Sequence, residues 1–141
     1  MAIDREWTPK EVAGLKDQVE KLKIKIKADL PVEEIVRMQL ETLLFASSLT
    51  WPVNQARFYE AKMSSDKNRA FTKAFLMAVG SDRKRDADAK ADGDVRVAEA
   101  KAHEAEVYRK LLEDVKADFI AIHYALKSML RESTESKRWE G

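Results

Sequence analysis

Ala98, Lys101, Ala105, Tyr108, Leu112, Val115, Phe119, Ile122, Leu126 and Met129 follow one another at alternating steps of three and four residues. A sustained three–four step puts every member on one side of an α-helix. The segment therefore predicts a bundle or coiled-coil helix of roughly 50 Å, at about 1.5 Å per residue. Lys101 is the single member off type, and Leu111, Ile120 and Leu130 widen the stripe onto adjoining faces. A helix apolar on more than one side expects more than one neighbour. The residues after Leu130 are mostly polar and are expected to fray.

The rest of the chain divides at a few breakers, for it holds only 4 Gly and 3 Pro in 141 residues. So few turn formers exclude a sandwich or barrel, and the expected class is all-α: an elongated helical bundle with a long C-terminal coiled-coil-type helix. Thr8-Pro9-Lys10-Glu11 has the form of a capping box, with Thr8 as N-cap and Pro9 in the first helical position. Behind it Val12, Leu15, Val19, Leu22 and Ile26 form a helical seam. Lys21 to Lys27 alternates basic and apolar residues, which would also suit an edge strand, but nothing obvious offers itself for pairing; it reads as the basic flank of the first helix. Asp29-Leu30-Pro31 ends that helix and starts a second, which is expected to bury Ile35, Met38, Leu43 and Phe45. Pro52 marks a new start or a kink. A third helical run then carries Val53, Ala56, Tyr59, Met63, Ala70, Phe71, Ala74 and Met77 up to Gly80, a suitable C-terminal stop. Residues 80–94 read as a polar connector, with Asp94 capping the last helix. The expected organisation is an N-terminal helical arm (1–30), a helical core (31–132) and a polar C-terminal tail (133–141) that contains Trp139.

Charge is spread unevenly although the formal net charge is only +1. Residues 50–85 hold eight basic against three acidic side chains, whereas residues 86–141 hold ten basic against thirteen acidic. Arg57, Lys62, Lys67, Arg69, Lys73 and the run Arg83-Lys84-Arg85 supply the positive charge, interleaved with Trp51, Phe58, Tyr59, Phe71 and Phe75. Cations that neutralise phosphates, with rings on which bases can stack, are what a single-strand groove uses. The nucleic-acid-binding candidates are therefore Arg57, Lys62, Lys67, Arg69, Lys73 and Lys84. Phe71 and Phe75 share an apolar face and are expected in the core, which leaves Trp51 and Tyr59 as the candidate stacking rings.

Several chemistries lack their residues. There is no cysteine, hence no disulfide, thiolate metal site or cysteine nucleophile. Asp86, Asp88, Asp92 and Asp94 are dense enough to suggest calcium, but an EF-hand loop wants an oxygen ligand where Lys90 stands and Gly where Ala91 stands. The chain has no Glu-x-x-His pair for a di-iron bundle and no glycine-rich phosphate loop. His103 shares a helical face with Glu99 and Glu106, a pattern met more often as surface ion pairing than as a metal site, and His123 falls in the apolar stripe. No catalytic residue, metal or cofactor is assigned, and the chain is expected not to be an enzyme.

The order of a basic helix ending in Gly80, a charged connector, and a heptad helix finishing in Leu126-Lys127-Ser128-Met129-Leu130-Arg131 is recognisable. Together with Tyr59-Glu60-Ala61-Lys62, Lys67-Asn68-Arg69-Ala70 and Lys73-Ala74, it resembles the UvsY-like recombination mediators of tailed phages, over about Leu49 to Arg131. The helix from Thr8 to Ala28 has no clear counterpart there. The resemblance implies a homo-oligomeric protein that binds single-stranded DNA and assists recombinase loading against a single-strand binding protein. It implies Lys67, Arg69 and Lys73 as DNA contacts. It also implies an assembly surface along Leu112 to Met129, so that Tyr108, Leu112, Val115, Phe119, Ile122, Leu126 and Met129 become the oligomerisation residues. No stretch approaches a membrane span, and Asp4, Arg5 and Glu6 stand where a secretory leader needs an apolar run. The expected location is cytoplasmic, the host's cytoplasm if phage-encoded. Two further readings fit the composition: a phage structural or assembly coiled coil without a nucleic-acid role, and a small helical inhibitor of a host enzyme.

Overall fold

A computed structural model describes residues 9–27 and 29–140, with side chains from Lys10 to Thr134. Five helices and no strand occur among the described residues: α1 (Pro9–Lys25), α2 (Val32–Ser48), α3 (Thr50–Met77), α4 (Asp82–Ala91) and α5 (Gly93–Glu140). The all-α class holds. Helix α1 runs through the alternating stretch as far as Lys25, with a turn at Ile26 and Lys27. The proposed Thr8 cap lies outside the described residues. Among the described residues no helix is long and apolar enough to cross a membrane.

The chain forms two compact units. One comprises residues 1–53 and 111–141, the other residues 54–110. In the first, α1 and α2 close around the C-terminal part of α5. Val12, Leu15 and Val19 of α1 are buried with Ile35, Met38, Thr42 and Ala46 of α2 and Leu112, Val115, Phe119, Ile122 and Leu126 of α5. Phe45 stacks on Phe119 at 5.1 Å between ring centroids. Helix α1 is thus a core element and not the arm expected for residues 1–30. The expected oligomerisation seam is corrected in the same way: Leu112 to Leu126 are filled by the chain's own α1 and α2, with Tyr108 and Met129 half-buried.

Helix α2 buries Ile35 and Met38 and half-buries Phe45 as expected, but not Leu43. Thr42 is completely buried while Leu43 is exposed, because the Thr42 hydroxyl donates to Gln39 O at 3.0 Å and loses nothing by leaving water. The same carbonyl accepts from His123 Nδ1 of α5 at 3.0 Å, so this histidine is a satisfied bundle residue. Leu49 ends α2 and Val53 N donates to its carbonyl, which makes Pro52 one of the first three residues of α3. No helical acceptor exists for an N–H there, so the proline starts α3 without kinking it.

The second unit has a core of small residues. Ala56 and Met63 of α3, Ala89 of α4, and Val95 and Ala105 of α5 are buried, whereas Tyr59 and Met77 of the same helical run are exposed. Lys101 is exposed and Ala102 half-buried, so the α5 seam steps through Val95, Ala98, Ala102 and Ala105, which removes the one polar intruder. Arg109 Nε and Nη2 reach Glu60 Oε2 and Oε1 at 2.5 and 3.2 Å, a two-pronged pair joining α3 and α5.

Residues 80–94 are no simple connector, since they contain α4. Ser81 caps it by accepting from Lys84 N, and Gly80 at φ 119° makes the preceding turn. Asp92, two residues before the expected Asp94, caps α5 through Oδ1, accepting from Asp94 N at 2.9 Å and Val95 N at 3.3 Å. The backbone of α5 continues as helix to Glu140, through the stretch expected to fray, and the Trp139 side chain lies outside the described residues.

Candidate nucleic-acid interface

Helix α3 carries five of the six basic candidates, and its 3.6-residue turn sorts them. Lys62, Arg69 and Lys73 fall within about 40° of one another around the axis. All three are exposed. Phe58, Ser65, Thr72 and Leu76 extend the same stripe, across the helix from the buried Ala56 and Met63. Ser65, Asn68, Arg69, Thr72, Lys73, Leu76 and Met77 line a shallow groove of about 570 Å³. Among the described residues, Lys62, Arg69 and Lys73 make no ion pair within 4 Å. Asp66 flanks the stripe and pairs with none of them. Their charge is therefore directed at solvent, where it can meet an anion.

Lys67 stands apart from this group. Two residues before Arg69, it lies about 200° around the helix. There it lines a polar cleft of about 270 Å³ with Glu60, Ser64, Glu99, Ala102, His103 and Glu106. It shares that cleft with three glutamates, of which Glu60 is paired with Arg109 and Glu106 with Lys110. Lys110 Nζ stands 2.8 Å from Glu106 Oε1. The hydrogen bond between them, followed by the lysine's charge, holds the Glu106 carboxyl below the usual carboxylate range. The grouping of His103 with Glu99 and Glu106 read from the sequence is present, but no cluster among the described residues could hold a metal ion.

The remaining candidates are dispersed. Arg57, five residues before Lys62, is exposed on another side of α3. Lys84 is exposed on α4, its stem beside Gly80. Arg85 has a structural role: Nε donates to Phe75 O at 3.2 Å, and the guanidinium lies over the Phe75 ring. Phe71 and Phe75 stack at 6.3 Å, both half-buried, with Phe75 roofed by Arg85. The expectation of two core rings is therefore met in part by both, neither being fully buried. Trp51 is half-buried and Tyr59 exposed off the stripe, so neither candidate stacking ring accompanies the three cations. The calcium reading fails on geometry, because Asp86 and Asp88 lie in a helix, Asp86 pairs with Lys90 at 3.0 Å, and Asp92 is used as a cap.

Charge density along the chain locates the cations but misses Phe58, Ser65, Thr72 and Leu76. A signal for them is present: positions 58, 62, 65, 69, 72 and 76 advance by three or four, as the apolar seam does. No family model matches the chain, and no curated protein or solved structure matches it.

Proposed function

We propose that this chain is a non-catalytic helical protein that binds single-stranded nucleic acid along one side of α3. The observation that carries the reading is the stripe of Lys62, Arg69 and Lys73, exposed, aligned and unpaired among the described residues. Each turn of helix advances about 5.4 Å, so the cations form a row able to follow a flexible phosphate chain. The recombination-mediator role rests on the resemblance to UvsY-like proteins, and within it the chain would hold a strand open for a recombinase. Self-association would multiply weak phosphate contacts into firm binding. Because the α5 seam is used inside the chain, a second copy would have to meet another surface.

The test is anisotropy of a labelled single-stranded oligonucleotide at several salt concentrations, with a Lys62→Ala/Arg69→Ala/Lys73→Ala variant alongside. Removing three phosphate contacts is expected to lower the log–log salt slope by about 2 and to weaken binding at every sequence tried. A folded wild-type protein that binds no strand at low salt would refute the proposal.

A second reading, an assembly protein, is favoured by a different face. Val36, Leu40, Leu43 and Leu44 of α2 are 47–61% exposed and recur at helical spacing. Such an apolar stripe suits a protein neighbour more than a phosphate chain. Preference for unpaired over paired DNA of equal length separates the two readings, since only the first requires it.

A further inference from the structure

Phe58 is 76% exposed, more than any other aromatic side chain among the described residues. It projects from the middle of a regular helix, on the side away from Ala56 and Met63, so its exposure is imposed by its register and not by a loose loop. Its place on that helix is one turn before Lys62, a rise of about 6 Å, and it is aligned with Arg69 and Leu76. A nucleobase is flat, apolar on both faces and joined to its phosphate by a single sugar, so a cation and an exposed ring one turn apart match the two ends of one nucleotide. Duplex DNA keeps its bases stacked inside and offers the ring nothing comparable.

We infer that Phe58 is a base-stacking residue, and that the α3 stripe recognises unpaired nucleotides through this ring in addition to phosphates through its cations. The inference rests on the nucleic-acid reading above and adds to it the ligand class: strands with accessible bases, not polyanions in general. Lys62 holds the phosphate, Phe58 receives the adjoining base, and Arg69 and Lys73 guide the backbone onward. Every base has a π-face, so the contact selects strand state without selecting sequence.

The experiment uses the full chain and three probes of equal length: labelled oligo-dT, an abasic deoxyribose-phosphate strand, and a duplex. Phe58→Ala is compared with Phe58→Trp and with the Lys62/Arg69/Lys73 triple alanine variant, each checked for wild-type helicity by circular dichroism. Phe58→Ala is expected to weaken oligo-dT binding about tenfold or more. Its salt slope and its affinity for the abasic strand should stay at wild-type values, because no cation is lost. Phe58→Trp should retain or tighten oligo-dT binding. Wild-type affinity of Phe58→Ala for oligo-dT, or equal losses on the abasic and base-bearing strands, would overturn the role of the ring. If the triple variant loses binding while Phe58→Ala keeps it, the stacking inference falls and the electrostatic reading stands. A wild-type protein that binds none of the probes overturns both.

Discussion

Arg85 Nε donates to Phe75 O at 3.2 Å, and the same guanidinium stands 4.7 Å from the centroid of the Phe75 ring. One side chain thereby adds a second donor, beside Ala78 N, to a carbonyl in the last turn of α3, places a cation at the negative end of that helix, and covers an aromatic face. Ten residues separate the partners, so the contact fixes α4 against the end of α3. Replacing Arg85 with Ala should cost about 1–2 kcal/mol, the sum of one hydrogen bond and one partly exposed cation–π contact. Urea denaturation measures the loss, and affinity for a strand should change less than in Lys73→Ala.

The separation of Lys67 from Arg69 and Lys73 gives a sharper comparison. Lys73→Ala should reduce the salt slope for single-strand binding by about 0.7, the share of one phosphate contact. Lys67→Ala should leave the slope at its wild-type value, because Lys67 lines the cleft with Glu60, Glu99 and Glu106. Equal effects from the two substitutions would mean that the strand reaches both sides of α3.

Phe119 is completely buried and stacked on Phe45 within one chain. Its replacement by Ala should cost about 3–5 kcal/mol, the usual range for emptying a core aromatic site. Because Leu112 to Leu126 are covered by α1 and α2, the loss of stability in Phe119→Ala relative to wild type should be the same at every protein concentration. A loss that changes with concentration would show that the seam also holds copies together.

Two glycines should respond with opposite signs. Gly80 has φ 119°, and an added Cβ would stand 3.0 Å from Lys84 Cδ, so Gly80→Ala should destabilise by about 1–2 kcal/mol. Gly14 lies within α1, and a Cβ added there would meet nothing within 4 Å, so Gly14→Ala should stabilise by up to about 1 kcal/mol. Thermal melts of the two variants beside wild type decide both.

Helix order is legible because proline and glycine are scarce and each proline marks a boundary: Pro9 begins α1, Pro31 precedes α2, and Pro52 lies in the first turn of α3. Helix α4 is hidden because only Ala89 gives it a fully buried residue, while its anchor, Arg85, reaches ten residues back to Phe75. Hydropathy favours Leu43 over Thr42 because it does not register that a hydroxyl bonded to a local carbonyl can be buried cheaply. Adjacent residues lie about 100° apart on a helix, so with Thr42 inside Leu43 is turned outward. The site follows the same rule. Lys67, Arg69 and Lys73 are neighbours in sequence, and helix geometry alone assigns Lys67 to another side.

The first unit is interrupted in sequence by the second, which occupies residues 54–110. A chain emerging from the ribosome therefore presents α1 and α2 long before the segment that covers them. Val12, Val19, Ile35 and Met38 wait without Leu112, Phe119 and Leu126 while the whole of residues 54–110 is synthesised. Residues 54–110, by contrast, are contiguous and can close on themselves as they emerge. The inserted segment can therefore close before α1 and α2 meet the part of α5 that covers them.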